Sequence, residues 1–141
     1  MIRELIHDPI SLAIKSTNAT LSDISTGDDL LETLIAHKDS CVGMAANMIG
    51  YHKCIIAFLD GSDNKQKYTV MFNPEIINKS EPYETVESCL SLLGGPRKCT
   101  RYKKIKVKYQ TNDLKPKIKT YTGWTAQIIQ HEIDHCNGIL I

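Results

Sequence analysis

The 141-residue sequence holds no apolar run of about 18 residues or more, which excludes a membrane-spanning helix. It has almost no net charge: 17 Lys and Arg against 16 Asp and Glu give +1. Nothing in that balance argues for a membrane surface or for specific nucleic-acid binding. An export signal is also missing. "MIRELIHDPISLAIK" carries Glu4 and Asp8 and has neither a continuous apolar centre nor a small-residue cleavage site. Cysteine is present, but in an odd number: Cys41, Cys54, Cys89, Cys99 and Cys136. Without an export signal these read as reduced thiols of a cytoplasmic protein, one of them a ligand, rather than as a disulfide framework. The 42% of apolar residues can form a core without such staples, and the length predicts one domain over residues 1–141.

The patterning predicts an α+β fold. "DDLLETLIAHKDS" (28–40) reads as a helix with Leu30, Leu31, Leu34 and Ile35 at helical spacing. "CIIAFL" (54–59) and "YTVMFN" (68–73) read as two strands of a hairpin around the turn "DGSDNKQ", and Pro74 is expected to end the second. "ETVESCLSLLGGPRK" (84–98) starts strand-like and ends in a Gly-Gly-Pro turn. "KKIKVKYQ" (103–110) alternates Ile105, Val107 and Tyr109 with Lys104, Lys106 and Lys108, as a half-buried strand does, and "KIKTY" pairs back. The last helix, 122–138, has Thr122 as its expected cap and Gly138 as its stop. Trp124, Ile128, Ile129 and Cys136 cover much of its circumference, so it is expected to be buried. The sum is a set of antiparallel strands around one central C-terminal helix.

That helix carries "QHEIDH" (130–135). His131 and His135 lie four residues apart, about 40° around the helix axis, so both imidazoles can reach one ion. Glu132 between them is placed to act as a general base for a hydrolytic water. A catalytic ion usually takes three protein ligands. Downstream of His135 only Cys136 and Asn137 carry donor atoms, and Cys136 points away from the histidine face. The third ligand therefore comes from upstream, and spacing leaves Cys89, Cys99, Cys41, Cys54, Glu87 and other carboxylates open.

"ESCLS" (87–91) resembles the Glu-Gly-Cys-Leu-Ser segment of the peptide deformylases. "CVGMAANM" (41–48) resembles their Gly-x-Gly-x-Ala-Ala-x-Gln loop, and "QHEIDH" is similar to their helix motif at every fixed position. The three segments come in the family's order and roughly its spacing. The resemblance implies that Cys89, His131 and His135 are metal ligands, with Fe(II) the usual ion and Zn(II), Ni(II) or cobalt able to replace it. It implies removal of the N-formyl group from formyl-Met of nascent polypeptides, releasing formate. Glu132 is then the general base, and the Leu90 N–H donates to the oxyanion. Glu87 and Arg101 form a bracing pair. Val42, Trp124 and Ile128 line the methionine pocket, and Gly43 offers its backbone to the peptide. Many members of that family carry a further C-terminal helix or strand beyond the position of Ile141.

Four positions depart from the pattern: Met48 stands for the glutamine, Ser88 for the glycine before the cysteine, Cys41 for the loop's first glycine, and "LLGG" follows "CLS". A thioether donates no hydrogen bond, so Met48 removes an oxyanion donor; as plain structure it fills an apolar wall. The loss of one such donor typically slows an enzyme by about 10²–10³. One reading is a metal-dependent deformylase with reduced rate, favoured by Glu132. The other is a degenerate module that keeps the metal and binds formylated peptides or a partner without efficient turnover, favoured by Met48 and Ser88. "RKCTRYKK" (97–104) reads as a solvated strand face; its sharper reading is contact with RNA at the ribosome surface. Asp134 is placed either to hold a ligand histidine's outer nitrogen or to face solvent. Cys54 and Cys99 read as small buried apolar residues.

Overall fold

The computed structural model describes residues 1–141. The elements run α1 (Pro9–Leu12), a 3-10 turn (Leu21–Asp23), α2 (Ile24–Ala36), β1 (Gly43–Ala45), a second 3-10 turn (Ala46–Ile49), β2 (Ile55–Asp60), β3 (Lys67–Glu87), β4 (Arg97–Gln110), β5 (Pro116–Thr122) and α3 (Gly123–Cys136). The five strands form one antiparallel sheet in chain order, β1-β2-β3-β4-β5. The helix α3 lies against β1, β2, β4 and β5. No helix is long and apolar enough to cross a membrane.

The expected hairpin pairs Asp60 with Lys67 and Ile55 with Phe72. Pro74 does not end its second strand. β3 continues to Glu87, and the ladder to β4 shifts register between Phe72 and Glu75 and again between Ile76 and Asn78. A proline has no N–H to give to a ladder and is tolerated at a bulge. Here Asn73, at φ 53°, turns the chain out of register. Its side chain holds the kink by accepting from the Ala19 N–H at 2.7 Å and donating to the Ala19 carbonyl at 3.1 Å and to Gln110 Oε1 at 2.6 Å. Beyond the bulge β3 and β4 run as a long hairpin to Glu87 opposite Arg97. Its connecting loop, with Gly94 and Gly95 at positive φ, carries Cys89. β4 thus begins six positions before the expected Lys103.

Ile105, Val107 and Tyr109 are buried while Lys104, Lys106 and Lys108 are exposed, as alternation requires. α2 begins at Ile24, four residues before the acidic pair expected to open it. Asp29 instead receives the Arg3 guanidinium at 2.8 Å and the chain's amino terminus at 2.7 Å. Leu30 and Leu34 of that helix are in the core, whereas Ile35 is exposed.

Ten of the fourteen residues of α3 are buried. Its apolar part joins Ala126, Ile128, Ile129 and Ile133 to Met44, Phe58, Met71 and Tyr121 of the sheet in one core cluster. Trp124 is the departure, 61% exposed at the helix start. Thr122 precedes the helix in extended conformation without a side-chain capping bond. Gly138 ends the helix at φ 74°, and a Cβ there would lie 2.5 Å from the Ala13 carbonyl oxygen. Glycine is therefore required both by the backbone angle and by the close pass of the 13–15 segment.

Candidate active site

The helical spacing of His131 and His135 turns both rings to one side of α3. Their Nε2 atoms lie 3.1 Å apart, with ring centroids at 4.8 Å and planes 74° apart. The hairpin loop brings Cys89 to the same point, and the ligating atoms of the three residues all lie within 4.8 Å of one another. Among the upstream candidates left open by spacing, Cys89 is the residue grouped there. The Cys54 thiol donates to the Ser16 carbonyl at 3.6 Å instead, and the Cys41 thiol donates to the Gly43 carbonyl at 2.8 Å.

Glu87 organises the histidine end. Its Oε1 accepts from His131 Nδ1 at 2.8 Å and from Arg101 Nη2 at 2.7 Å; its Oε2 accepts from Arg101 Nε at 3.0 Å and Gln127 Nε2 at 2.8 Å. Burial works to raise the Glu87 pKa, but the bonds from His131, Arg101 and Gln127 outweigh it and lower it to about 2. The carboxylate fixes the His131 proton on Nδ1, so in the neutral ring Nε2 keeps its lone pair for the shared point. Arg101 is itself buried and reaches Asp134 Oδ2 at 2.7 Å. Asp134 therefore braces the arginine rather than a histidine; Glu87 holds the histidine.

The remaining charges are set by burial. His135 is fully buried, and burial, aided by the neighbouring His131, lowers its pKa to about 3, so the ring is neutral. Burial acts downward on His131 too, but Cys89, Glu132 and Glu87 overcome it and raise its pKa to about 10. Burial raises the Glu132 pKa to about 7 against the pull of His131. Glu132 Oε1 has no hydrogen-bond partner, and neither has the buried His135 Nδ1. An orphaned carboxylate oxygen beside two inward-turned imidazoles and a thiol fits a bound cation. Two nitrogens and one sulphur suit a borderline-soft ion such as Fe(II) or Zn(II).

A cleft of about 350 Å³ opens beside this cluster. Val42, Gly43, Met48, Ser88, Cys89, Leu90, Trp124, Ile128, His131 and Glu132 all line it. Eleven expected residues, with Glu87, thus meet at one cleft, while His135 and Arg101 lie behind its wall. Gly43 is held to glycine by contact: a Cβ there would be 2.8 Å from both Glu132 Oε2 and Ile128 Cγ2. Met48 is 1% exposed, and its Sδ accepts the Ala45 N–H at 3.4 Å. Trp124, expected to help bury α3, stands instead at the cleft rim.

Sequence reasoning missed Gln127, Tyr83 and Asn47. Gln127 lines the cleft and takes the Tyr83 hydroxyl at 3.1 Å on Oε1 while Nε2 holds Glu87. Asn47, fully buried, donates from Nδ2 to the His135 carbonyl at 3.0 Å. Their partners lie 40 or more residues away, so no local pattern marks them.

Residues 6–141 match the family described as polypeptide deformylase. The chain belongs to that family. A peptide deformylase of Clostridium beijerinckii is 47% identical over 141 residues, the whole of both chains. One from Chromobacterium violaceum is 38% identical over 113 residues, 80% of this chain and 66% of the relative. Among solved structures, the Thermotoga maritima peptide deformylase superposes with a TM-score of 0.85 at 27% identity, covering 99% of this chain and 95% of that one. A class I type b peptide deformylase from Acinetobacter baumannii with Met-Ala-Ser bound gives 0.83 at 26% identity, covering 99% and 97%. The deformylase fold, an α+β sheet around a C-terminal helix, is therefore common to all of them. Deformylases are metal-dependent hydrolases that remove the formyl group from nascent peptides.

Proposed function

We propose that this deformylase acts in the cytoplasm on nascent polypeptides beginning with formyl-methionine, using Cys89, His131 and His135 to hold one divalent ion, Fe(II) in the cell. The observation that carries the reading is Glu132, buried in the cleft wall with an unpartnered oxygen beside the three donors. A carboxylate held near neutral pKa in that position can take a proton and return it, which a pure binding module does not need. The bound ion would supply Lewis acidity toward the formyl oxygen and acidify a water.

The other steps belong to the chain. β1 is the end strand of the sheet, so Gly43 lies on an edge that an extended peptide can join by replacing the Cys41 thiol at the Gly43 carbonyl. Val42, Trp124 and Ile128 receive the methionine side chain. Glu132 takes the proton of the attacking water and delivers it to the leaving amine, so the products are formate and a free N-terminus. The Leu90 N–H donates to the oxyanion as the carbonyl turns tetrahedral. His131 is held in its tautomer by Glu87, and Glu87 by Arg101 and Gln127. Met48, its sulphur already taken by the Ala45 N–H, adds no donor, so the rate is lower than a glutamine there would give.

The lysine face of β4 supports a weak approach to the ribosome surface, read through the salt dependence of association. The test of the main reading is formate release from a formyl-Met peptide by protein loaded anaerobically with Fe(II). Release that disappears on chelation and returns on reloading supports it; release that ignores the chelator overturns it.

A further inference from the structure

The hydrogen bonds around Glu87 extend one residue further than the steps above use. Gln127 and His131 lie one turn apart on α3, so both side chains reach the same carboxylate. Gln127 Nε2 donates to Glu87 Oε2 at 2.8 Å, and His131 Nδ1 donates to Glu87 Oε1 at 2.8 Å. On its other side the Gln127 amide meets Tyr83, whose hydroxyl donates to Oε1 at 3.1 Å. Tyr83 lies on β3 four residues before Glu87, on the same face of the strand, with Arg101 opposite it in the ladder. It is half-buried and does not line the cleft.

The direction of each bond is forced. Glu87, paired with Arg101, is a carboxylate and only accepts. A primary amide has one donating end and one accepting end, so the Gln127 NH₂ turns to Glu87 and Oε1 turns away. Oε1 then needs a donor, and the Tyr83 hydroxyl supplies it. Turned over, the amide would set Oε1 against Glu87 Oε2, two acceptors with no proton between them. Tyr83 therefore selects the amide orientation that serves Glu87. The carboxylate in turn keeps the His131 proton on Nδ1 and leaves Nε2 bare toward the shared point.

We propose that Tyr83 is a positioning residue for the metal centre: its hydroxyl locks the Gln127 amide, the amide holds Glu87, and Glu87 holds His131. The inference rests on the ligand set proposed above. Tyr83 touches neither ligand nor cleft, so its whole effect on the ion passes through Gln127. Removing the hydroxyl leaves Oε1 without a protein donor and the amide free to turn. One hydrogen bond lost at that remove should weaken metal binding about three- to tenfold. That is less than the ten- to hundredfold typical of a residue that holds a ligand histidine directly.

The test is a double-mutant cycle read as Zn(II) affinity, by competition with a chromophoric chelator at one pH. Tyr83→Phe, nearly isosteric at a half-exposed strand position, should weaken Zn(II) binding about three- to tenfold. Gln127→Leu should weaken it at least as much. Adding Tyr83→Phe to Gln127→Leu should then change nothing further, because the path from Tyr83 is already cut. Urea unfolding of each metal-free variant is the control. A merely structural tyrosine would lower metal-free stability and leave the Zn(II) affinity at its wild-type value, and that result overturns the proposal. So does a Tyr83→Phe effect as large in Gln127→Leu as in wild type. Cys89→Ala is titrated alongside: if it keeps Zn(II), the ligand set itself fails and this inference with it. If Cys89→Ala loses Zn(II) while Tyr83→Phe binds as wild type does, only the role of Tyr83 is overturned.

Discussion

Glu87 Oε1 lies 2.8 Å from His131 Nδ1, and the same carboxylate is gripped by the buried Arg101 guanidinium. The hairpin end that delivers Cys89 and the helix that delivers the histidines are therefore tied by one carboxylate. Removing it as Glu87→Ala leaves Arg101 buried with Asp134 as its remaining anion. Loss of a buried pair member costs about 3–5 kcal/mol. Loss of a group that orients a ligand histidine weakens metal binding about ten- to a hundredfold. Denaturant unfolding and metal titration of Glu87→Ala should show both losses. Wild-type values in both would mean that the pair braces nothing.

Acid should expose the same tie. The Glu87 pKa falls from 4.5 in an unconstrained chain to about 2 in the fold. A lowered folded-state pKa means stability that is present in full above about pH 4.5 and lost as pH falls toward 2. Metal-free wild type should lose stability across that window more steeply than metal-free Glu87→Gln, measured by urea unfolding at each pH. Parallel curves would contradict the assignment.

Glu132 works in the opposite sense. Its folded pKa is raised from 4.5 to about 7 by burial. The metal-free fold is therefore penalised as pH rises through that range and the buried carboxyl ionises. Glu132→Gln keeps the shape and removes the charge, so metal-free Glu132→Gln should be more stable than metal-free wild type at pH 8, by about 1–3 kcal/mol, with the difference shrinking at pH 5. Equal stability at both pH values would show Glu132 to be solvated rather than sealed.

The α3 site was legible because it is local. His131, Glu132 and His135 follow from a four-residue spacing on a helix whose burial the apolar pattern also marked. The sheet was legible where alternation was clean, as in 103–110. Pro74 misled because strand propensity stops at a proline, whereas a long hairpin held from both sides absorbs it in a bulge braced by Asn73 and Gln110. Composition gave no guide to the Trp124 rim position, because a helix start can be apolar and still face a cleft. Asp134 and Gln127 fell to partners far away in the chain: Arg101 in one case, Tyr83 and Glu87 in the other. Which cysteine joins the histidines was not readable from spacing; the family resemblance pointed to Cys89.

Cys89→Ala should abolish stoichiometric metal binding, whereas Cys99→Ala and Cys136→Ala should retain it. Metal analysis after gel filtration decides. Retention in Cys89→Ala with loss in either of the others would overturn the ligand set.

Met48→Gln restores an amide donor of similar length at the cleft. It should raise kcat by about ten- to a thousandfold, with a much smaller change in KM, since the donor acts on charge that develops after binding. The Ala45 N–H that Met48 now receives must then find the new amide oxygen. Ser88→Gly is tested with it, singly and together, on formyl-Met peptides at matched metal content. A double variant no faster than wild type would show that Met48 does not limit the rate.

The central claim is that a buried carboxylate beside a Cys-His-His ion performs the proton transfers of formyl hydrolysis. Its most direct test is formate release by Fe(II)-loaded wild type and Glu132→Gln at equal, measured metal content. The account predicts full metal occupancy in both and loss of formate release in the variant by at least about a hundredfold. Release at the wild-type rate from metal-loaded Glu132→Gln would contradict it.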